Sequence, residues 1–311
     1  MSLLIAADFT PAERVLWEDA LQAALPGQAW AHADAPFDPD AVEVAIVANP
    51  RPASLQGLPN LKLIQSLWAG VDRLLCDPSL PADVPIGRLV DPAMSQAMAE
   101  TALWAVLSLH RGHFVYAQQQ REMRWEPLAQ RRADEVRVLV LGLGQMGGSA
   151  AQRLAYNGYR VTGWSRHAAQ RPGVVCRHGD DALPELLRQA QLVINLLPLT
   201  PATTGLFNAR TLGRLPRGAG LVNLARGAHV VEADLLAALD SGQLAHAVLD
   251  VFSHEPLPVE SALWRHPHVT VLPHVAALTD PRSAAAVVAA NVNALRAGRP
   301  LQHLVDRQRG Y

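Results

Sequence analysis

Short apolar runs that alternate with helical stretches, a fresh start of that rhythm near residue 136, and a glycine-rich turn at the restart predict an α/β chain. The class is two Rossmann-like domains, a doubly wound parallel-sheet domain inserted in a discontinuous flavodoxin-like one. The inserted domain is expected at 96–279, and the discontinuous one at 1–95 with 280–311.

The elements follow in order. "LLIAA" reads as a buried strand, and "PAERVLWEDALQAAL" as a helix opened by proline. "VEVAIVA" is a second strand, and "LKLIQSL" a third, running into the turn "WAGVD". A single long helix is expected from about Ala93 to Gln120, with Asp91 as its cap. "EPLAQRRADE" is polar and reads as a surface connection. From Val136 the strands are "VRVLVLG", "YRVTGW", "QLVINLLP", "AGLVNLA", "LAHAVLDVF" and "VTVLPH", six in a parallel sheet, with helices between most of them. "SAAAVVAANVNALRAG" is the last helix, ended by Gly298 and expected to pack back on the first domain.

Composition excludes several classes. Half of the 311 residues are hydrophobic, 18% are charged and the net charge is −1, so the chain can bury a large core and offers no basic footprint for nucleic acid or membrane. The apolar helix Met94 to Leu109 is broken by Gln96, Glu100 and Ser108, and no run reaches the roughly 18 residues needed to span a bilayer. "MSLLIAADFT" lacks the basic start and long apolar core of a signal peptide, so a cytoplasmic protein is expected. Cys76 and Cys176 form no CxxC pair, and neither "HRGH" nor "HPH" has the further ligands of a metal site. No metal is expected.

"LGLGQMGG" places Gly142, Gly144 and Gly147 in GxGxxG spacing between a strand and a helix. There the first glycine turns tightly, the second admits a pyrophosphate and the third lets helix and strand pack. Free N–H groups at the helix start, at Gln145 and Met146, favour phosphate. The alternative is a packing turn without cofactor. Ser165 lies 23 residues after Gly142, where an acidic residue ordinarily meets the ribose 2′-OH. Serine can donate to a 2′-phosphate, and Arg166 can stack on adenine or fork onto the phosphate. His167 or Arg171 can add charge. "WSR" therefore indicates NADPH over NADH, against the alternative of a solvated loop.

Three polar residues follow apolar strands: Arg226 after "LVNLA", Glu255 after "LDVFSH" and His274 after "VTVLP". The set suits hydride reduction of a 2-oxo acid. Histidine supplies the proton, a carboxylate holds its ring and favours the protonated form, and arginine forks onto the substrate carboxylate. Each alone also fits a surface residue or a structural histidine.

"LGLGQMG", "NLARG", "LDVFSHEPLP" and "LPHVAALT" resemble, in order and spacing, the D-2-hydroxyacid dehydrogenase family, and the resemblance covers nearly the whole chain. The stretch from "EPLPVESALW" to "HVAALTDP", "WSR" and the terminal "VDRQRGY" are similar to the family's reductases of glyoxylate and hydroxypyruvate. The resemblance implies Arg226, Glu255 and His274 as catalytic residues, with Arg226 and His274 also binding substrate. It implies that Asp250 holds the nicotinamide carboxamide and that Leu197, Pro198, Thr203 and Ala225 line the cofactor. Backbone N–H groups of the turn Trp68, Ala69 and Gly70 would receive the substrate carboxylate. It also implies a homodimer joined through the cofactor domains; Trp104 and Trp125 fit either that interface or the intramolecular core. The expected activity is NADPH-preferring reduction of glyoxylate to glycolate and hydroxypyruvate to D-glycerate, with NADH a weaker cofactor. The alternatives are a same-family reductase of a bulkier acid such as phenylpyruvate, and a nucleotide-sensing co-regulator on the same fold.

Overall fold

The computed structural model describes residues 2–311 and divides into two compact units, Met1–Ala93 with Thr279–Tyr311, and Met94–Leu278. In the first unit the chain runs β1 (Ser2–Ala7), α1 (Pro11–Ala24), β2 (Ala29–His32), β3 (Val42–Ala48), β4 (Leu63–Ser66), a single turn α2 (Asp72–Leu75) and β5 (Ile86–Gly87). The sheet is parallel in the order β2-β1-β3-β4-β5, the flavodoxin-like arrangement. Helix α1 starts where the sequence places it because Thr10 and Glu13 cap each other: the Glu13 N–H donates to Thr10 Oγ1 at 3.3 Å and the Thr10 N–H to Glu13 Oε2 at 2.8 Å.

Helix α3 (Pro92–His110) begins under the Asp91 cap, whose Oδ1 accepts the Ala93 N–H at 2.9 Å. The single long helix expected to Gln120 is two. It breaks at Gly112, which takes a left-handed φ of 72°, and α4 (His113–Arg121) resumes beyond. The second unit continues with β6 (Arg137–Leu141), α5 (Gln145–Tyr156), β7 (Arg160–Ser165), β8 (Val175–His178), α6 (Leu183–Gln189), β9 (Leu192–Asn195), α7 (Ala209–Leu212), β10 (Ala219–Asn223), α8 (Glu232–Asp240), β11 (Leu244–Leu249) and β12 (Val269–Val271). Its strands are parallel in the order β12-β11-β10-β9-β6-β7-β8.

The sheet thus has seven strands rather than the expected six. Strand β8 escapes sequence reading because it is a short edge, "VCRH", with no buried residue to make an apolar pattern. Strands β2 and β5 of the first unit, also at edges, are four and two residues long and were likewise not expected. Central strands are legible because both faces are covered. Along β6, Val138 and Val140 join one core with α5, and Leu139 and Leu141 join the other. Strand order reverses between β6 and β9, and the crevice at that switch point is where this architecture takes ligands.

Helix α9 (Pro281–Arg296) belongs to the first unit and packs on α1. Its buried Asn291 donates to Gln65 Oε1 at 2.7 Å, and Ser283 donates to Asp91 Oδ2 at 2.7 Å. No helix among the described residues is long and apolar enough to cross a membrane.

Candidate active site

The glycine-rich turn leaves β6 at the switch point. Gly142 has a φ of 95°, and a Cβ on Gly147 would sit 1.9 Å from the Gly142 carbonyl oxygen, so no other residue lets α5 approach the strand. Gly144 differs: a Cβ there would meet nothing within 4 Å. It caps α5 without a side-chain hydrogen bond, leaving the N–H groups of the first turn, at Gln145 and Met146, to face the crevice end of the sheet. Open space over an uncapped helix start is what a dinucleotide pyrophosphate requires, so these residues fit the expected cofactor.

Strand β7 ends at Ser165. The Ser165 hydroxyl, expected to reach a 2′-phosphate, instead donates to the His167 carbonyl at 2.8 Å and closes the turn. Arg166 is exposed and makes no hydrogen bond or ion pair among the described residues, so the guanidinium is available to an anion. His167 is exposed beside it. Arg171, expected as added charge, donates from Nη2 to the Leu143 carbonyl at 2.7 Å.

Beyond β9, the cofactor-lining residues rest on a buried network that sequence reading did not single out. Asn195, Asn223 and His229 are fully buried. Asn195 Nδ2 donates to Asn223 Oδ1 and to His229 Nδ1, both at 2.9 Å. His229 therefore accepts at Nδ1 and donates from Nε2 to the Pro198 carbonyl, 3.3 Å away. The Leu197 N–H is held by Asn195 Oδ1 and the Ala225 N–H by Asn223 Oδ1, each at 3.3 Å. Thr203, expected to face the cofactor, is buried, and its hydroxyl is turned inward to the Pro198 carbonyl at 2.9 Å. The available signal was an asparagine ending each of two adjacent apolar strands, where a buried amide must find partners.

Asn223 Nδ2 also donates to the Arg226 carbonyl at 2.9 Å, which fixes the turn after β10. Arg226 is half-buried and its Nη1 reaches the Ala225 carbonyl at 2.7 Å. A Cβ on the next residue, Gly227, would lie 1.9 Å from the Phe252 carbonyl carbon, so this turn packs directly on the segment after β11. That segment carries Glu255, whose Oε1 accepts the Phe252 N–H at 2.8 Å and whose Oε2 lies 2.7 Å from His274 Nδ1. His274 Nε2 makes no hydrogen bond among the described residues, and the side chain is half-exposed. The three expected catalytic residues therefore stand on three successive strand ends, two of them in direct contact.

Asp250 is buried at the end of β11, and its carboxylate accepts the N–H groups of Val275 at 2.7 Å and Ala276 at 3.0 Å. Burial pushes its carboxyl above the usual carboxylate range, against the pull of those two bonds. It grips the His274 turn whatever else it touches.

In the first unit, the N–H of Trp68 is not open to a ligand as expected, because it donates to Ser66 Oγ at 3.0 Å. Those of Ala69 and Gly70 make no hydrogen bond among the described residues. The Trp68 ring meets Trp17 edge-on at 5.9 Å, and its buried Nε1 has no partner among the described residues.

Residues 103–276 match the model of the D-isomer specific 2-hydroxyacid dehydrogenase NAD-binding domain. The chain is 42% identical over 300 residues to glyoxylate/hydroxypyruvate reductase A of Escherichia fergusonii, covering 95% of this chain and 96% of the relative. It superposes with a TM-score of 0.95 at 45% identity on a D-isomer specific 2-hydroxyacid dehydrogenase from Xanthobacter autotrophicus in complex with NADPH and MES, covering 100% of this chain and 99% of that one. An NADPH-dependent glyoxylate/hydroxypyruvate reductase from Sinorhizobium meliloti, in complex with NADP and sulfate, superposes with a TM-score of 0.93 at 37% identity over 100% of both chains.

Proposed function

The chain belongs to the D-isomer specific 2-hydroxyacid dehydrogenase family and is an NAD(P)-dependent oxidoreductase, and on that premise we propose that it is an NADPH-preferring reductase of small 2-oxo acids. Glyoxylate and hydroxypyruvate are the leading substrates, giving glycolate and D-glycerate. The observation that carries the reading is the 2.7 Å pair of His274 and Glu255 on the sheet whose glycine-rich turn is open for a dinucleotide.

Gly142, Gly144, Gln145, Met146 and Gly147 hold the pyrophosphate, and Arg166 holds the adenosine 2′-phosphate. The bound nicotinamide supplies hydride to the carbonyl carbon. Glu255 orients His274 through Nδ1, so that Nε2 faces the reacting oxygen and donates the proton that the developing alkoxide requires. Arg226 forks onto the substrate carboxylate and polarises the carbonyl. The NADPH and NADP bound in the two solved relatives support the cofactor, as does Ser165 in place of a carboxylate that would repel the 2′-phosphate.

The protein is further proposed to pair as a homodimer through its cofactor unit. Trp125 is 98% exposed and Met123 94% exposed, and Trp104 and Leu107 on α3 are partly exposed, apolar side chains that an isolated protomer leaves to water. Light scattering tests this directly.

The activity is tested by the fall in absorbance at 340 nm with glyoxylate, hydroxypyruvate and phenylpyruvate, each with NADPH and with NADH. Preference for NADPH and the two small acids supports the reading. Preference for phenylpyruvate replaces the substrate, preference for NADH replaces the cofactor, and no oxidation with any acid removes the reading.

A further inference from the structure

Arg171 lies at the far end of the turn that Ser165 and Arg166 begin. Its Nη2 donates to the Leu143 carbonyl at 2.7 Å and its Nη1 to the Gln170 carbonyl at 2.9 Å. Leu143 is the buried residue between the first two glycines of the phosphate loop. The same guanidinium occupies the space over Gly148 in the first turn of α5, where a Cβ would fall 2.3 Å from Arg171 Nε. The fourth glycine of "GLGQMGG" thus has a use that the dinucleotide spacing does not explain: it is the seat of an arginine. The other polar ties of the turn run from Ser165 Oγ to the His167 carbonyl, from the Val174 N–H to the Arg171 carbonyl and, where the turn leaves β7, from the Gly179 N–H to the Ser165 carbonyl at 3.3 Å; none of these reaches the phosphate loop.

We infer that Arg171 is a positioning residue for cofactor discrimination, strapping the turn that carries Arg166 to the phosphate loop; the inference rests on the NADPH reading above. An exposed turn samples many conformations, and ordering it on binding weakens affinity. A strap made before binding removes that cost and keeps Arg166 at a set distance from the pyrophosphate site. A forked guanidinium can serve two carbonyls at once, whereas a lysine ammonium on a flexible stem cannot reproduce the fork. Because NADPH and NADH share the pyrophosphate and differ at the 2′-position, loss of the strap weakens the first and spares the second.

The experiment is calorimetric titration of the purified protein with NADPH and with NADH, on wild type, Arg171→Ala, Arg171→Lys, Gly148→Ala and Arg166→Ala, with a thermal melt of each. The strap predicts that Arg171→Ala and Arg171→Lys each weaken NADPH about tenfold, the scale of losing a charge-assisted hydrogen bond, and leave NADH within about twofold. Gly148→Ala is expected to do the same from the opposite side by evicting the guanidinium, without loss of Tm, since alanine is the better helix former. Wild-type NADPH affinity in Gly148→Ala or Arg171→Lys, with loss only in Arg171→Ala, overturns the strap and makes Arg171 a direct phosphate contact. Equal weakening of both cofactors reduces it to a structural residue. If Arg166→Ala loses NADPH while Arg171→Ala and Gly148→Ala do not, the strap alone fails. If wild type itself shows no NADPH preference, the cofactor reading fails first.

Discussion

His274 is held by Asp250 through the backbone rather than the ring. The His274 N–H donates to the Asp250 carbonyl at 2.9 Å, and the two following N–H groups, of Val275 and Ala276, donate to the two oxygens of the Asp250 carboxylate. The turn needs this grip, because His274 has a φ of 55°, a left-handed conformation that a residue with a side chain keeps only when its surroundings impose it. Asp250→Ala is expected to release the turn and lower kcat by about a hundredfold, on the scale of misplacing a catalytic group by an ångström. Asp250→Asn, which keeps one acceptor, is expected to lose less. Steady-state kinetics on the two variants decide it; kcat unchanged in Asp250→Ala removes the positioning role.

His274→Gln is expected to abolish turnover by roughly two to four orders of magnitude while NADPH binding stays near that of wild type. Glu255→Gln should fall between, since Gln can still accept the Phe252 N–H but no longer stabilises a charged ring. Single-turnover rates beside a fluorescence titration of NADPH separate the two effects. Loss of cofactor affinity in His274→Gln would show that the histidine is misplaced.

Ser165→Asp with Arg166→Ala is expected to reverse the cofactor preference. The change removes an exposed cation and sets a carboxylate at the end of β7, where it repels a 2′-phosphate and accepts from the ribose hydroxyls of NADH. The ratio of kcat/KM for NADPH to that for NADH should fall by about a hundredfold or more, the worth of two charged contacts. A ratio within threefold of wild type would place the 2′-phosphate elsewhere.

Stability should fall on acidification through His246. This imidazole lies on β11, stacked on Phe114 at 4.1 Å, with Nε2 at 2.9 Å from Thr270 Oγ1 and only 7% of its surface exposed. Burial first, then the neighbouring His268 and His266, push its pKa down to about 4. An unfolded chain takes up that proton near 6.5, so between the two values the unfolded state binds more protons and stability rises with pH. The contribution is complete above about 6.5 and is lost as pH falls towards 4, a difference of roughly 3 kcal/mol. Melting curves over that window should show the slope in wild type and a flatter one in His246→Gln. Identical slopes would assign the acid sensitivity to other groups.

Elements with strong local signals were legible in the residues themselves. Strands β3, β6 and β10 are buried along nearly their whole length, so they appear as continuous apolar runs whatever packs on them. Gly142 and Gly147 are legible for a similar reason, since a left-handed turn and a close helix approach exclude every larger residue. Arg226, Glu255 and His274 stood out only as a set: each alone also fits a surface residue or a structural histidine, but the three follow consecutive apolar strands. The edges β2, β5 and β8 carry no such signal, because an edge strand is defined by the neighbour it pairs with.

The sequence by itself therefore determined the class of fold, the dinucleotide turn and the chemical types at three strand ends, all features set by residues within one turn or strand of each other. Only the tertiary structure decided which partner each polar group takes. Ser165 turns to His167, Arg171 to Leu143, Thr203 to Pro198 and Asp250 to the amides beyond His274. A hydrogen bond is made over about 3 Å with a required direction, and backbone amides and carbonyls are present at every position. Which of them lies within reach is set by strands and turns far apart in the chain, so the choice exists only once the sheet has assembled.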